Sequence, residues 1–233
     1  MIFELSADMG EGAADEEPLW PLLDAANIAC GGHAGDVTTI THAVARAREH
    51  GVILGAHPSY PDRESFGRRS MTMTADALHA TLFEQIRALY ALGPLRRVKP
   101  HGALYNDAHH DAVLARTIIE AIVSVDPTLS IVAPNDSQMA HAARTASVPV
   151  IREAFADRRY NPDGSLVSRN EPGSLLTVEE SVDQTQLLAT ESTVIATNGT
   201  RISIAFDTIC LHSDLPGALA RATAISQLRK KKR

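Results

Sequence analysis

Seven apolar, β-branched runs along the chain each end in a cluster of polar or ionisable side chains, most of them His, Asp, Glu, Lys or Arg. In β/α barrels and open α/β sheets, reactive groups gather just past the carboxyl ends of the strands, so one pocket would collect all seven clusters. The arrangement favours an enzyme over a scaffold. The clusters span residues 8–11, 30–33, 55–58, 99–102, 134–136, 155–158 and 212–214.

Two carboxylates, Asp8 and Glu11, flank Gly10 at the end of the first run. A tight turn at the glycine would aim both into the pocket, where paired carboxylates with separated pKa values divide acid and base roles. Asp8 would otherwise cap the following turn through its own backbone, and the sequence leaves both interpretations open.

Three histidines, His33, His57 and His101, follow successive runs, and Lys99 stands two residues before the last of them. We expect at least two of these histidines to face one cavity. Catalytic zinc takes about three protein ligands, a count that Asp8, His33 and His57 would meet. No H-E-x-x-H spacing fixes two ligands on one helix, so a divalent metal is one alternative and acid–base or structural histidines are the other.

Two long connections, residues 58–74 and 156–176, are rich in arginine. Loops of this length in a compact domain are often lids or binding loops, and the guanidinium fork suits carboxylate or phosphate. The alternative is that most of these arginines pair with nearby acids and hold the loops. We expect about two of the six to touch a ligand. The six are Arg63, Arg68, Arg69, Arg158, Arg159 and Arg169.

The bulk properties narrow the class of protein. The 233 residues are 44% hydrophobic but only 4% aromatic, which suits helices packed on a parallel sheet. A net charge of −6 argues against a nucleic-acid partner, which would need a clustered basic face. We expect no membrane span and no leader segment. Because Cys30 and Cys210 form no C-x-x-C pair, we expect a reduced, cytoplasmic compartment.

Three common nucleotide and hydrolase motifs are missing from the sequence. It contains no G-x-x-x-x-G-K-[ST], no G-x-G-x-x-G after an apolar run and no G-x-S-x-G. These absences argue against a P-loop ATPase, a nicotinamide dehydrogenase and a serine hydrolase.

Segments with helical spacing alternate with the apolar runs, which predicts a parallel sheet with right-handed crossovers. Seven strands could close into a barrel or stay open, and the pattern alone allows both. We predict one domain over residues 1–228 and a frayed basic tail over 229–233. The predicted strands lie near 2–7, 26–30, 52–56, 96–100, 129–133, 148–153 and 203–211. The predicted helices lie near 38–50, 75–92, 109–125, 136–146, 177–191 and 217–230.

Several clusters belong to longer motifs that resemble the LamB/YcsF family, and the likeness covers nearly the whole chain. Residues 55–63 read Gly-Ala-His-Pro-Ser-Tyr-Pro-Asp-Arg, and residues 99–106 read Lys-Pro-His-Gly-Ala-Leu-Tyr-Asn. Both runs are long and specific. The other matching motifs span residues 8–11, 27–36, 66–69, 155–160, 166–169 and 210–216.

The resemblance implies a seven-stranded β/α barrel related to glycoside hydrolases and deacetylases. It also implies opening of 5-oxoproline to L-glutamate coupled to ATP hydrolysis, with ATP as co-substrate and the chain as an A subunit beside partner subunits B and C. In that reaction, Lys99 and Arg158 would neutralise phosphate or a developing oxyanion. The predicted catalytic residues are Asp8, Glu11, His33, His57, Lys99 and His101. The predicted substrate-binding residues are Asp62, Arg63, Arg68, Arg69, Asp157, Arg158, Arg169, His212 and Asp214.

The chain departs from the family pattern at a few positions. Ser6 and Ala7 stand where the family usually has Asn-Cys, Gly32 where it has Phe, and Ser65 and Ser213 where it has Gly. Losing the Asn amide at position 6 removes a donor that could orient the substrate, although Ser6 still donates one bond. Changes at the proposed mouth predict a shifted substrate or weakened activity.

Two rival functions stay open. The first is a metal-dependent deacetylase or hydrolase that acts on a sugar amide through Asp8 and the histidines. The second is a noncatalytic subunit that binds a small ligand and passes it to a partner.

Overall fold

Seven parallel strands close into a barrel, which confirms the β/α barrel expectation. The computed structural model describes residues 3–13 and 16–230. The barrel closes because the last strand pairs with both the first strand and the sixth. Its strands are β1 (Glu4–Met9), β2 (Ala25–Ala29), β3 (Ile53–His57), β4 (Arg97–Val98), β5 (Ser130–Ala133), β6 (Val150–Phe155) and β9 (Thr208–His212). A separate antiparallel pair consists of β7 (Thr193–Ile195) and β8 (Arg201–Ser203).

Helices surround the barrel, and side-chain caps satisfy the first turn of several of them. Thr74 accepts a hydrogen bond from the Ala77 amide, and Thr177 with Glu180 forms a capping box. The helices are α1 (Val37–His50), α2 (Ala75–Tyr90), α3 (Gly102–His110), α4 (Ala112–Val125), α5 (Gln138–Thr145), α6 (Val178–Glu191) and α7 (Ala218–Lys230). A short 3-10 helix covers Glu17–Leu22.

Polar side chains meet inside the barrel across its strands. Arg97 donates two hydrogen bonds to the carboxylate of Glu4, at 2.6 and 2.7 Å. Thr208 donates to the Ser6 hydroxyl at 3.0 Å, and Asp8 lies one inward position further along β1. Since strand side chains alternate between the two faces, every second residue of β1 points into this polar interior.

The apolar core lies between the barrel wall and the helices. Leu5, Ile28 and Ile209 come from the strands and are fully buried, as are Leu82 of α2 and Ile118 of α4. Burying these side chains stabilises the fold by about 1.5–3 kcal/mol each.

Two predicted elements differ from the structure. The helix predicted over 109–125 is two helices, because Asp111 adopts an extended backbone and caps α4 by accepting from Val113 and Leu114. The strand predicted over 203–211 starts at Thr208. Ser203 pairs with β7 instead, and residues 204–207 belong to neither strand.

The C-terminal helix continues into the predicted tail. Arg229 lies within α7 and forms an ion pair with Asp24, while residues 231–233 fall outside the described part of the chain. Within the described ranges, no helix has the length and apolarity needed to cross a membrane.

Candidate active site

A cavity of about 770 Å³ opens at the carboxyl ends of the barrel strands. Five of the six predicted catalytic residues line it: Asp8, Glu11, His57, Lys99 and His101. From the predicted substrate-binding group, Arg68, Arg158, Arg169, His212 and Asp214 line it as well. Ionisable side chains from five of the seven strand-end clusters therefore meet at one cavity.

A chain of ionic contacts forms the cavity floor. The Lys99 ammonium lies 2.9 and 3.0 Å from the two carboxylate oxygens of Asp8 and 2.9 Å from Oε1 of Glu153. Tyr105 donates to the other oxygen of Glu153 at 2.7 Å. Burial acts to lower the pKa of Lys99, but the charge of Asp8 holds that pKa well above its usual range. Lys99 is thus a permanent cation shared by two acids.

Asp8 is held ionised and in one orientation. Asn27 donates to its Oδ1 at 2.9 Å, and the Ser213 hydroxyl donates to its backbone carbonyl at 2.6 Å. Burial acts to raise the pKa of Asp8, but the charges of His57 and Lys99 hold it well below its usual range. Ser213, a departure from the family pattern, therefore supports the site directly.

His57 and His101 face each other across the cavity floor, with His57 Nε2 and His101 Nδ1 separated by 3.0 Å. His57 Nδ1 donates to the Lys99 carbonyl at 2.7 Å, and His101 Nε2 donates to the Phe66 carbonyl at 2.9 Å. These backbone acceptors fix the tautomers, so in the neutral rings the two facing nitrogens are both lone-pair acceptors.

The Glu11 carboxylate completes this group. Its Oε1 lies 3.4 Å from His101 Nδ1, 3.8 Å from His57 Nε2 and 2.9 Å from His33 Nε2. Burial and the nearby charge of Asp8 raise the pKa of Glu11 well above its usual range. The four side chains form a candidate metal cluster in which all donor atoms lie within 4.8 Å of one another.

The predicted metal ligands therefore need revision. Asp8, His33 and His57 are the candidate ligands from the sequence, but Lys99 engages both oxygens of Asp8 and Asn27 one of them, although Oδ2 also lies 3.3 Å from His57 Nε2. Glu11 takes its place in the cluster and His101 joins it. The sequence could not separate the two acids because both lie at the end of the same apolar run.

Arg68 and Arg169 join the two long loops across the mouth. Both guanidinium groups bind Asp214, Arg68 from the first loop and Arg169 from the second, at 3.0 and 3.2 Å for Arg169. Burial acts to raise the pKa of Asp214, but the hydrogen bond and charge of Arg169 lower it to about 2. The Asp214 carboxylate therefore neutralises much of the positive charge of Arg68 and Arg169.

Arg158 differs from the other arginines of the cavity. It is buried, donates from Nη2 to the Val167 carbonyl at 2.6 Å, and forms no ion pair with any residue the structure describes. Among the same residues its Nε finds no hydrogen-bond partner, and burial lowers its pKa to about 10. A buried cation without an acidic partner is poised to bind an anion.

Asp157 lies behind the cavity wall and orients His212. It is fully buried and accepts from the His212 amide at 2.7 Å and from the His212 Nδ1 at 2.8 Å. Since Nδ1 donates to the carboxylate, Nε2 of His212 is available to a ligand as an acceptor or, in the protonated ring, as a donor. Asp157 is therefore a positioning residue and does not line the cavity.

Three predicted substrate-binding residues lie away from the cavity and stiffen the first long loop. Arg63 donates to the carbonyls of Gly31 and Gly35 at 2.9 and 2.7 Å. Arg69 lies 3.5 Å from the Asp62 carboxylate, which also accepts from the Ser65 amide. These contacts match the alternative in which loop arginines serve structure.

The fifth strand-end cluster also stays outside. Pro134 lines the cavity, but Asn135 is instead bonded to Arg144 and to the exposed Asp136. None of residues 30–33 lines the cavity either, so the prediction of one pocket for all seven clusters is wrong at two strands.

Two residues of the floor were missed by sequence reasoning. Glu153 and Tyr105 line the cavity and bond to each other. A signal for Glu153 exists, because a lone acid inside a buried apolar strand must point toward a polar interior. Tyr105 stands in the motif of residues 99–106 but carries no pattern of its own.

The departures at Ser6 and Gly32 are accommodated by neighbours. Ser6 accepts from Thr208 inside the barrel. A Cβ at Gly32 would lie 2.5 Å from the Ser59 hydroxyl and 2.6 Å from the amide oxygen of Gln85. The Gln85 amide accepts from the Ser59 backbone N–H at 3.0 Å and donates to the Ser59 carbonyl at 2.9 Å. Polar side chains therefore occupy the space beside Gly32.

Fold and site together define a single-domain β/α barrel with a carboxylate–histidine cavity at the strand carboxyl ends. Barrels of this kind host many unrelated functions, so the fold alone does not determine the reaction. The model of the LamB/YcsF family matches residues 3–233, and the chain belongs to that family.

Solved structures extend this assignment. A lactam utilization protein from Thermus thermophilus is 37% identical, with a TM-score of 0.92 over 100% of this chain and 97% of its own. A family 4 carbohydrate esterase from Streptomyces lividans is 11% identical, with a TM-score of 0.51 over 99% and 88%. A chitinase from Rhizomucor miehei is 9% identical, with a TM-score of 0.51 over 97% and 100%. The last two share the fold alone.

Proposed function

We propose that this chain is the A subunit of an ATP-dependent 5-oxoprolinase, which opens the lactam of 5-oxoproline to L-glutamate. One observation carries the proposal. The buried guanidinium of Arg158, which pairs with no described acid, shares a cavity with the acid–histidine group of Asp8, Glu11 and His57. A small lactam with one carboxylate needs both an anion anchor and proton-transfer groups. Family membership and the lactam utilization relative support the same reaction.

In the proposed complex, the substrate carboxylate binds Arg158 and the lactam lies over the floor. His212 borders the same space, with Nε2 free to bind the ring or its carboxylate. Asp8 accepts a proton readily only when its ionic partners release it, because its pKa is depressed. His212, whose Nε2 is a donor in the protonated ring, is therefore better suited to deliver a proton to the departing nitrogen.

ATP supplies the driving force by activating the stable amide. The amide oxygen attacks the γ-phosphorus and ADP leaves. Water adds to the activated carbon, and the ring C–N bond breaks as the nitrogen takes a proton. A second water splits the resulting acyl phosphate into the glutamate carboxylate and phosphate. Arg158 and backbone N–H groups would neutralise the oxyanion along this sequence.

Cavity size supports a second reactant beside the lactam. Its volume of about 770 Å³ falls in the range of about 300–1,000 Å³ that holds drug-sized ligands, whereas 5-oxoproline is a single five-membered ring. Subunits B and C would complete the ATP site, because the chain carries no common nucleotide motif. The cytoplasm, where ATP is available, is the proposed compartment.

Release of glutamate and phosphate, measured with every subset of this chain and subunits B and C, tests the proposal. The complete mixture should form glutamate only with ATP, and this chain alone should form almost none. Robust ATP-dependent turnover by the isolated chain would refute the need for partners. A complete mixture that forms no glutamate would refute the lactam reaction.

A Glu11→Gln variant separates a catalytic chain from a ligand-delivering subunit. The variant should abolish turnover in the complete mixture while 5-oxoproline still binds, whereas Glu179→Gln, at an exposed glutamate, should leave turnover intact. Full turnover with Glu11→Gln would favour the noncatalytic alternative.

The cluster of Glu11 with three histidines favours a second candidate, a metal-dependent hydrolase of a sugar amide. Such an enzyme would deacetylate an N-acetylated sugar without ATP, lose activity to a chelator and regain it with a divalent ion. Failure of all three responses would eliminate this candidate.

A further inference from the structure

Glu11, His57 and His101 present three donor atoms toward one point. Their separations of 3.0, 3.4 and 3.8 Å bracket the edge of about 3.3 Å that a tetrahedral site with bonds of about 2.0–2.1 Å requires. All three side chains line the cavity, so a fourth position would face its space. Two histidines, one carboxylate and an open position are the ligand set of catalytic zinc sites.

The hydrogen bonds of both histidines orient these donors. The other ring N–H of each histidine donates a hydrogen bond to a main-chain carbonyl. His57 donates to the carbonyl of Lys99 and His101 to the carbonyl of Phe66. This pattern fixes ring orientation and tautomer in metal sites. In the neutral rings it also leaves the two facing nitrogens, each with a lone pair, 3.0 Å apart. This requires a cation at that point, either a proton shared with Asp8 Oδ2, which lies 3.3 Å from His57 Nε2, or a metal ion.

Charge favours a cation at the same point. The Glu11 side chain is 4% exposed, and within the described part of the chain its ion-pair contacts are to three histidines only. The Lys99 ammonium in the floor is already shared by Asp8 and Glu153. A buried carboxylate without a permanent cation is costly, and a divalent ion would remove that cost.

His33 belongs to the cluster by distance but not by ring geometry. Its ring stacks on that of His101 with 3.6 Å between centroids and 3° between planes. An imidazole binds a metal ion in its own plane, and two parallel, stacked planes cannot both contain one ion. His33 also does not line the cavity, whereas it contacts Glu11 Oε1 at 2.9 Å.

We propose that Glu11 Oε1, His57 Nε2 and His101 Nδ1 bind one divalent transition-metal ion, and that His33 orients Glu11 from outside the ligand shell. The site faces the cavity and does not depend on which amide the protein opens. Imidazole with carboxylate suits zinc, iron or cobalt over magnesium.

Metal content and Co²⁺ titration of the full chain test the proposal without any activity assay. Chelated protein should bind one Zn²⁺ or Co²⁺ per chain, and Co²⁺ should give visible absorption of low-symmetry coordination. His57→Ala, His101→Ala and Glu11→Gln should lose this stoichiometric binding. His33→Ala should retain one ion with an affinity lowered roughly 10–100-fold. The exposed His141→Ala is the control and should bind like the parent chain.

Thermal unfolding of each variant identifies any that fail to fold. If a histidine variant does not fold, metal binding by Glu11→Gln, a substitution on the loop after β1, tests the proposal in its place. Absence of stoichiometric binding by the parent chain would overturn the proposal and leave a proton between the two rings. Loss of binding in His33→Ala as complete as in His57→Ala would overturn the three-ligand assignment.

Discussion

The carboxylate of Asp8 and the ammonium of Lys99 lie 2.9 and 3.0 Å apart, although 91 residues separate them in the chain. Closure of the barrel brings the end of β1 opposite the end of β4, and Glu153 of β6 binds the same ammonium. Lys99 therefore has a structural role as well as a place in the cavity, which changes what its removal should do.

Lys99→Met should lower the free energy of unfolding by about 3–5 kcal/mol, because it leaves two buried carboxylates without their cation. Urea denaturation measures this loss. The double variant Lys99→Met/Glu153→Gln should recover part of it by removing one of the stranded charges. Equal stability of parent and single variant would show that the ion pairs contribute nothing, and a purely catalytic role for Lys99 would then stand.

Arg158→Gln should weaken 5-oxoproline binding roughly 10–100-fold, since charged hydrogen bonds contribute about 1.5–3 kcal/mol. Calorimetry with the full chain would measure the affinity. Pyrrolidin-2-one, the same lactam without a carboxylate, should bind both forms equally. The control is Arg159→Gln, whose side chain pairs with Glu180. Equal weakening of both lactams would contradict a carboxylate contact.

Asp214→Asn should destabilise the protein near neutral pH and less so in acid. In the folded protein the pKa of Asp214 is about 2, below its ordinary value of 3.8, so its ionised form stabilises the fold above that ordinary value. This contribution is lost as the pH falls toward 2. Urea denaturation from neutral pH to about pH 3 should show the difference shrinking below about pH 4. Asp136→Asn, at an exposed position, is the control, and a pH-independent difference would contradict the ion-pair origin.

Gly67→Ala should disturb the histidine cluster. Gly67 has φ of +64°, and a Cβ there would lie 2.9 Å from His101 Cδ2 and from His33 Cβ. We expect a loss of about 1–3 kcal/mol and weaker metal binding, measured by urea denaturation and Co²⁺ titration. Gly164→Ala is a matched control, because φ is +85° but no described atom lies within 4 Å of the added Cβ. Similar metal affinity in both variants would show that loop packing does not position His101.

Much of the barrel could be predicted from local pattern. Buried parallel strands read as apolar runs, and caps such as Thr74 are local interactions within one turn, so neither depends on distant residues. The misplaced boundaries have equally physical causes. The strand predicted over 203–211 includes Ser203, yet Ser203 pairs with β7, and pairing is decided in three dimensions.

The residue types of the site were also evident in the sequence, because glycine-flanked histidines and acids follow the strands. Only tertiary structure decided their partners. Asp8 and Glu11 lie three residues apart. Asp8 is an inward residue of β1 and contacts Lys99, whereas Glu11 lies on the loop beyond Gly10 and contacts the histidines. Arg158 is left without a described acid because Asp214 binds the other two cavity arginines. Such choices depend on side-chain direction and long-range closure, which spacing along the chain does not encode.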